Sequence, residues 1–257
     1  MPLSCQRDFT ITVNTVPVAH LTEYWTLQES GNADRVGSNI GIHLPAFPAT
    51  TEVPALYGNG VRLTTAPVEP GLDQSDSPLL AYNDAASTGL SIWFWIRLIA
   101  GPSGFNPQTL AQLTFFDNVG PQFSGITLAY LSQSNIVRVV HFGDVPGSNF
   151  QVDGALVPVV GVWHMIAATF DKNTATVNLY IDGVSAGSLA DPSTAISGDS
   201  GALSIFNAGG VGANAYTADV DEWGISLTGA LTAAQVLALY NGGIGVTWPG
   251  VKTIVPI

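Results

Sequence analysis

The segment Gly161 to Ser188, GVWHMIAATFDKNTATVNLYIDGVSAGS, constrains the fold more than any other part of the chain. His164 to Phe170 and Thr176 to Ile181 are strand-length runs rich in β-branched and aromatic residues, the side chains that pack well on a pleated surface. Asp182-Gly183 then supplies the dipeptide that accepts the positive φ angles of a two-residue hairpin turn, and Val184 to Ser188 returns as the partner strand. A chain that contains such a hairpin is committed to antiparallel sheet in this region.

The rest of the sequence repeats the pattern. Strands are predicted at Phe9 to Val13, Tyr24 to Leu27, Val61 to Thr65, Leu90 to Leu98, Leu113 to Phe116, Gly125 to Tyr130, Ile136 to Phe142, Leu203 to Phe206 and Val220 to Leu227, separated by Gly, Pro, Ser and Asn. Many short strands with turn residues between them indicate a sandwich or barrel, not alternating βα units. One helix is predicted, from Ala233 to Tyr240. Thr232 is its N-cap, Gln235 completes a capping box, Leu231 and Val236 hold the staple positions, and Asn241-Gly242 ends it. Val236, Leu239 and Tyr240 share one face, so the helix is expected to pack on the sandwich.

At 257 residues the chain is long enough for one large all-β domain, and no linker divides it. Only 10% of its residues are charged, and the net charge is −12. That sign is wrong for a surface that tracks phosphates, so nucleic acid is excluded as an expected partner. Cys5 is the single cysteine, which rules out an intrachain disulfide and a thiol-rich zinc site. Met1 to Asp8 has neither the basic start nor the apolar stretch of a secretory leader. The longest apolar run, Leu90 to Ala100, carries Arg97 and is too short to cross a bilayer, so membrane insertion is not expected. No Asn-x-Ser/Thr sequon occurs.

Three blocks of wording, in order along the chain, resemble a known family. The first is Leu21-Thr22-Glu23-Tyr24-Trp25-Thr26-Leu27-Gln28-Glu29. The second joins Trp163-His164, Ala168-Thr169-Phe170-Asp171 and Leu179-Tyr180-Ile181-Asp182-Gly183. The third joins Asp221-Glu222-Trp223-Gly224, Leu231-Thr232-Ala233-Ala234-Gln235 and Leu239-Tyr240-Asn241-Gly242-Gly243. Together they resemble laminin G-like domains of the concanavalin A-like lectin/glucanase superfamily, of the kind found in phage structural proteins. The resemblance implies an all-β fold, a two-sheet antiparallel jelly-roll sandwich with one short C-terminal helix. It places a laminin G-like domain at 21–245, between an N-terminal arm or edge strand at 1–20 and a C-terminal tail at 246–257. Phe9, Ile11 and Val13 alternate in the arm, and Trp248, Ile254, Val255 and Ile257 are apolar in the tail. Both segments read either as extra strands of the same domain or as strands that pair with a neighbouring subunit.

The candidate chemistry gathers on the closing strand. Glucanases of the superfamily use carboxylates spaced along one strand, as Glu-x-Asp-x-x-Glu or Glu-x-Asp-x-Glu. Here Asp219 and Asp221 alternate onto one face and Glu222 onto the other, but Trp223, Gly224 and Ile225 stand where a further acid is needed, so the retaining pair is incomplete. No catalytic residue is therefore assigned. Gly198-Asp199-Ser200-Gly201 resembles a protease nucleophile loop, but the histidine motif and cysteine framework that should accompany it are missing, and turn chemistry explains it. The four histidines, His20, His43, His141 and His164, lack metal-ligand spacing. No cofactor is expected. The one candidate metal is a structural calcium ion at Asp34 and Asp221, set against a hydrogen-bonded turn without metal, since Arg35 is a competing cation. Trp93 and Trp95 share a strand face and read either as a sugar platform or as core aromatics between two sheets.

These readings lead to an expected function. The chain is read as a noncatalytic virion structural protein of a bacteriophage, a capsid decoration or tail surface protein whose lectin-like sandwich attaches to protein or glycan. Its expected partners are other virion subunits and surface glycans, in an oligomeric assembly at the virion surface. The alternatives are a secreted, extracellular carbohydrate-binding lectin module of a bacterium and a glycoside hydrolase.

Overall fold

The computed structural model describes residues 23–25, 34–36, 50–56, 59–63, 72–77, 86–100, 108–116, 123–131, 134, 136–142, 149–154, 160–191, 200–205 and 217–243. Fifteen strands and one α-helix lie within them: β1 Glu23–Trp25, β2 Asp34–Val36, β3 Thr50–Pro54, β4 Asn59–Leu63, β5 Leu72–Ser77, β6 Gly89–Ala100, β7 Gln108–Phe116, β8 Phe123–Leu131, β9 Ile136–Phe142, β10 Asn149–Asp153, β11 Trp163–Asp171, β12 Thr176–Ile181, β13 Val184–Ala190, β14 Ser200–Ile205, β15 Thr217–Ser226 and α1 Ala233–Tyr240. The strand predicted at Phe9 to Val13, the arm at 1–20 and the tail at 246–257 lie outside the described residues. Among the described residues, no helix is long and apolar enough to cross a membrane.

Two antiparallel sheets face each other. One has nine described strands and runs β13-β12-β11-β6-β15. The far edge of β15 is then shared: β4 pairs with Ala218 to Val220 and β1 with Trp223 to Ile225. β3 lies outside β4, and β2 outside β1. The second sheet has six strands in the order β10-β9-β8-β7-β14-β5. This is the two-sheet sandwich with one short helix that the sequence predicts.

The predicted hairpin forms with its expected geometry. Asp182 and Gly183 adopt φ values of 54° and 75° between β12 and β13, the left-handed pair of a tight turn whose twist matches the strands. β11 pairs with β12 from Ile166–Ile181 to Asp171–Thr176. On the other side β11 pairs along its whole length with β6. Asp182 clasps the start of this unit: one carboxylate oxygen accepts from the Met165 N–H at 3.0 Å and the other contacts His164 Nδ1 at 2.7 Å.

Alternation on β6 builds two cores, because successive side chains point to opposite faces. Leu90, Ile92, Phe94, Ile96 and Leu98 point between the sheets, where they meet Ile166, Phe170, Leu179, Val220 and Ile225 from one side and Ile126, Leu128, Val137 and Val139 from the other. Trp93 and Trp95 point the other way. They form a second core with Met165, Ala167 and Tyr180, covered by Leu231, Val236 and Leu239. The expectation that these tryptophans pack between two sheets is therefore corrected. They are core residues, but of the layer between sheet and helix, and Phe94 takes the inter-sheet position.

The helix stands as predicted. Thr232 Oγ1 accepts from the Gln235 N–H, Gln235 Oε1 accepts from the Thr232 N–H, and Asn241 ends the helix in the left-handed region. Leu231 and Val236, the staple pair, are both buried, and Trp95 stacks on Tyr240 with ring centroids 5.7 Å apart. Ser91 Oγ accepts from the Leu231 N–H at 2.7 Å and so ties the helix entry to β6.

Candidate functional site

The closing strand β15 contains a bulge at the acids. Asp221 pairs with Trp95 and Gly224 with Trp93, so Glu222 and Trp223 together stand opposite Phe94. Glu222 takes φ 46°, an uncommon conformation for a residue with a side chain, and its N–H donates to Asp221 Oδ1 at 2.9 Å. Strict alternation would set Trp223 on the face of Asp219 and Asp221. The extra residue instead delivers Trp223 to the inter-sheet core, where it is wholly buried and stacks on Phe94 at 4.7 Å. The bulge sits where β4 leaves off and β1 takes up the edge of β15.

None of the three acids on this strand is open to solvent. Asp219 and Asp221 are 0% exposed and Glu222 1%. Asp219 is gripped from two sides. Arg62 Nε and Nη2 donate to its two oxygens at 2.6 and 3.0 Å, and Arg97 Nε and Nη2 donate to Oδ2 at 2.9 and 2.5 Å. Register places these residues side by side, since Asp219 pairs with Arg97 on β6 and with Arg62 on β4. The hydrogen bonds from Arg62 to Asp219 hold its guanidinium pKa above the ordinary arginine value. A retaining glycosidase needs two carboxyl groups about 5–5.5 Å apart with the sugar between them. A buried acid neutralised by two guanidiniums does not offer one of that pair.

The basic side of this cluster does reach solvent. The Arg62 and Arg97 side chains keep 34% and 25% of their surface exposed. Arg97 also donates to the Pro54 carbonyl and lies over the Trp163 ring, 4.9 Å from its centroid. Trp163 is half-buried at the edge of the sheet–helix core. Beside it the Gly161 N–H donates to the Leu98 carbonyl at 2.6 Å, and Val160 and Val162 stand exposed on either side of that bond. Two guanidiniums and an indole thus form one patch at the end of β6 and β11, next to the turn that carries the two valines.

The other candidate residues are placed as follows. Asp34 opens β2 and pairs in register with Trp25, which pairs with Trp223. Its Cα therefore lies two strand spacings, roughly 9.5 Å, from that of Trp223, with Asp221 two residues further along β15. The Asp34 side chain is outside the described residues. Among the described residues, no group of three or more His, Cys, Asp or Glu is positioned to hold a metal. Ser200 and Gly201 belong to β14, and Gly198 and Asp199 are outside the described residues. His20 and His43 are also outside them. His164 pairs with Asp182, and His141 is wholly buried against Asp191, with its ring stacked on Phe170 at 4.2 Å. Asp191 and the two arginines on Asp219 were not singled out in the sequence. The signal that finds the arginines is cross-strand register, which needs the sheet order first, and Asp191 meets His141 only once the two sheets are packed together.

Comparison with known proteins places this architecture. Residues 72–237, more than half of the chain, match the sequence model of the family Laminin_G_3, described as Concanavalin A-like lectin/glucanases superfamily. No curated protein matches the chain in sequence. Among solved structures it is similar to the binding domain of Paraclostridial Mosquitocidal Protein 1, at 15% identity and a TM-score of 0.66 over 87% of this chain and 52% of that one. It is similar to the receptor binding domain of botulinum neurotoxin type G, at 13% identity and a TM-score of 0.58 over 86% of this chain and 51% of that one. A third similar structure is domain 4 of AbnA, a GH43 extracellular arabinanase from Geobacillus stearothermophilus, solved with arabinotriose. There the identity is 17% and the TM-score 0.57, over 85% of this chain and 97% of that one. The chain spans about half the length of the toxin domains. At these identities the likeness is one of fold.

Proposed function

This chain belongs to the concanavalin A-like lectin/glucanases superfamily, and from that premise we propose that it is a noncatalytic attachment module that holds a glycan or protein surface on its sandwich. The observation that carries the reading is the state of the closing strand. Its three acids are withdrawn from solvent and Asp219 is neutralised by Arg62 and Arg97, while the two guanidiniums and part of the Trp163 indole beside them reach solvent. Carboxylates arranged in this way support the sheet. They do not flank a scissile bond.

Two kinds of similar structure support a binding role: toxin binding domains and an arabinanase domain solved with arabinotriose. The acidic, disulfide-free composition fits display on a bacteriophage particle, as a capsid decoration or tail surface protein among other virion subunits. Any cation the chain holds is proposed to be structural, with Asp34 and Asp221 among its ligands. The test of the binding role is a glycan array read in parallel with release of reducing ends from the same glycans. Binding without release is the expected result. Turnover of a β-glucan or galactan that disappears on Asp221→Asn overturns the noncatalytic reading. The virion setting is tested by mass spectrometry of purified particles from the source, in which peptides of this chain are expected at stoichiometric level; their absence refutes it.

A further inference from the structure

Five arginines and two lysines are all the cations in a chain of net charge −12. Two of these arginines converge on one buried carboxylate. Asp219 needs no second guanidinium for charge balance. Each arginine uses Nε and Nη2 on Asp219, and among the described residues neither Nη1 has a partner. Asp219 and its two arginines carry a net positive charge, and the arginines are the members that reach solvent. The neighbouring acids, Asp221 and Glu222, are buried. Among the described residues, the exposed edge therefore presents guanidinium N–H groups and not carboxylate oxygens.

A guanidinium fork matches the geometry of a carboxylate and binds it with charge-assisted hydrogen bonds, about twice as strong as neutral ones. Arg97 is oriented for this from three directions: Asp219 fixes its fork, the Pro54 carbonyl takes a bond from Nη2, and the Trp163 ring lies under its plane. Side chains held in place lose little further entropy when a ligand arrives. The open part of Trp163 supplies an apolar shoulder beside the basic edge. An acidic pyranose has the same two-part chemistry, a carboxylate on a ring with apolar C–H faces.

We propose that Arg62, Arg97 and Trp163 form a subsite for the carboxylate of an acidic glycan, a uronic acid unit or its equivalent. The proposal rests on the attachment-module reading and names the ligand class of that site.

Calorimetric titration of the full chain with a trimer of galacturonate and with the neutral galactose trimer tests it. The acidic trimer is expected to bind at least tenfold more tightly, and this preference is expected to shrink as NaCl is raised from 20 to 300 mM, because part of the site is exposed and screened. Arg62→Gln leaves Arg97 on Asp219 and is expected to cost about tenfold in affinity for the acidic trimer, the effect of one charge-assisted bond, with little change for the neutral one. Should that variant unfold, Arg62→Lys keeps a cation beside Asp219 but loses the planar fork, and a selective loss for the acidic trimer is again expected. Equal affinity for the two trimers, with binding intact, overturns the subsite and leaves the attachment module standing. No binding to either trimer, nor to any glycan of a broad array, overturns both. Tenfold tighter binding of a polyglutamate peptide than of the acidic trimer also overturns the subsite, by showing that the basic edge takes acidic protein.

Discussion

Replacement of Gly224 by alanine isolates the contact that joins the closing strand to the helix layer. A Cβ added at Gly224 would lie 2.1 Å from Trp93 Cζ2, 2.3 Å from Cε2 and 2.8 Å from Nε1. Ordinary contact begins near 3.5 Å, so the indole must retreat by more than 1 Å. Trp93 is 5% exposed and packs in one core with Leu231, Val236 and Leu239, so its retreat must displace that layer. Gly224 is not among the residues with positive φ, and the backbone itself accepts alanine. Overpacking of this kind costs about 1–3 kcal/mol, and a rigid indole belongs at the top of that range. Removing a strand glycine returns about 0.5–1 kcal/mol through the unfolded state. A net loss of about 2 kcal/mol follows, which at about 2–4 °C per kcal/mol for a domain of this size lowers Tm by about 4–8 °C. Thermal unfolding followed by circular dichroism measures it. Trp93→Phe removes the atoms that clash, so in the double variant the two losses should fall short of their sum by at least about 1 kcal/mol. A Gly224→Ala protein with unchanged Tm, or strict additivity in the cycle, would falsify the packing argument.

Three further outcomes follow from the charges and the fold. Hydrogen bonds from Arg138 hold Asp153 below its ordinary pKa of 3.8, so this pair adds stability above about pH 3.8 and loses it as pH falls further. Both side chains are partly exposed, so Arg138→Gln should cost no more than about 1 kcal/mol at pH 7 and progressively less below pH 3.8, as read by denaturant titration. Burial raises the pKa of Tyr130, Tyr180 and Tyr240 above 10.0, with Asp182 adding to the effect at Tyr240. The folded state therefore resists their ionisation, and stability should be intact below about pH 10 and fall above it. A Tm constant from pH 9 to 11.5 contradicts this. If a cation is bound at Asp34 and Asp221, a chelator should lower Tm and leave glycan affinity per folded molecule unchanged; loss of affinity at a temperature where the chain stays folded contradicts a structural role.

The parts of the fold that were legible in the sequence are those where local chemistry and tertiary need agree. Asp182-Gly183 demands its turn, β9 alternates buried and half-buried residues along its whole length, and Thr232, Gln235 and Asn241 delimit the helix to the residue. Strands with weak local signal were not predicted. β5 reads LDQSDS and β10 reads NFQVD, and both form as outer strands of the six-stranded sheet through backbone pairing that polar side chains permit. β2 and β3, at the outer margin of the larger sheet, were missed for the same reason.

The candidate site was legible only in part. The incomplete carboxylate set could be read from Trp223, Gly224 and Ile225 in the places of the missing acid. The bulge at Glu222 could not, because it arises from register with β6 and from the drive to bury Trp223 on Phe94. Nor does anything local connect Arg62, Arg97 and Asp219, which are separated by up to 157 positions and meet across three strands.

The most direct test of noncatalytic glycan attachment is a crystal structure of the chain with the glycan that an array identifies as its tightest ligand. Sugar density is expected against Trp163 and the outer edges of Arg62 and Arg97, with Asp219, Asp221 and Glu222 still buried and untouched by the ligand. A glycosidic bond lying between two of those three carboxylates would contradict it.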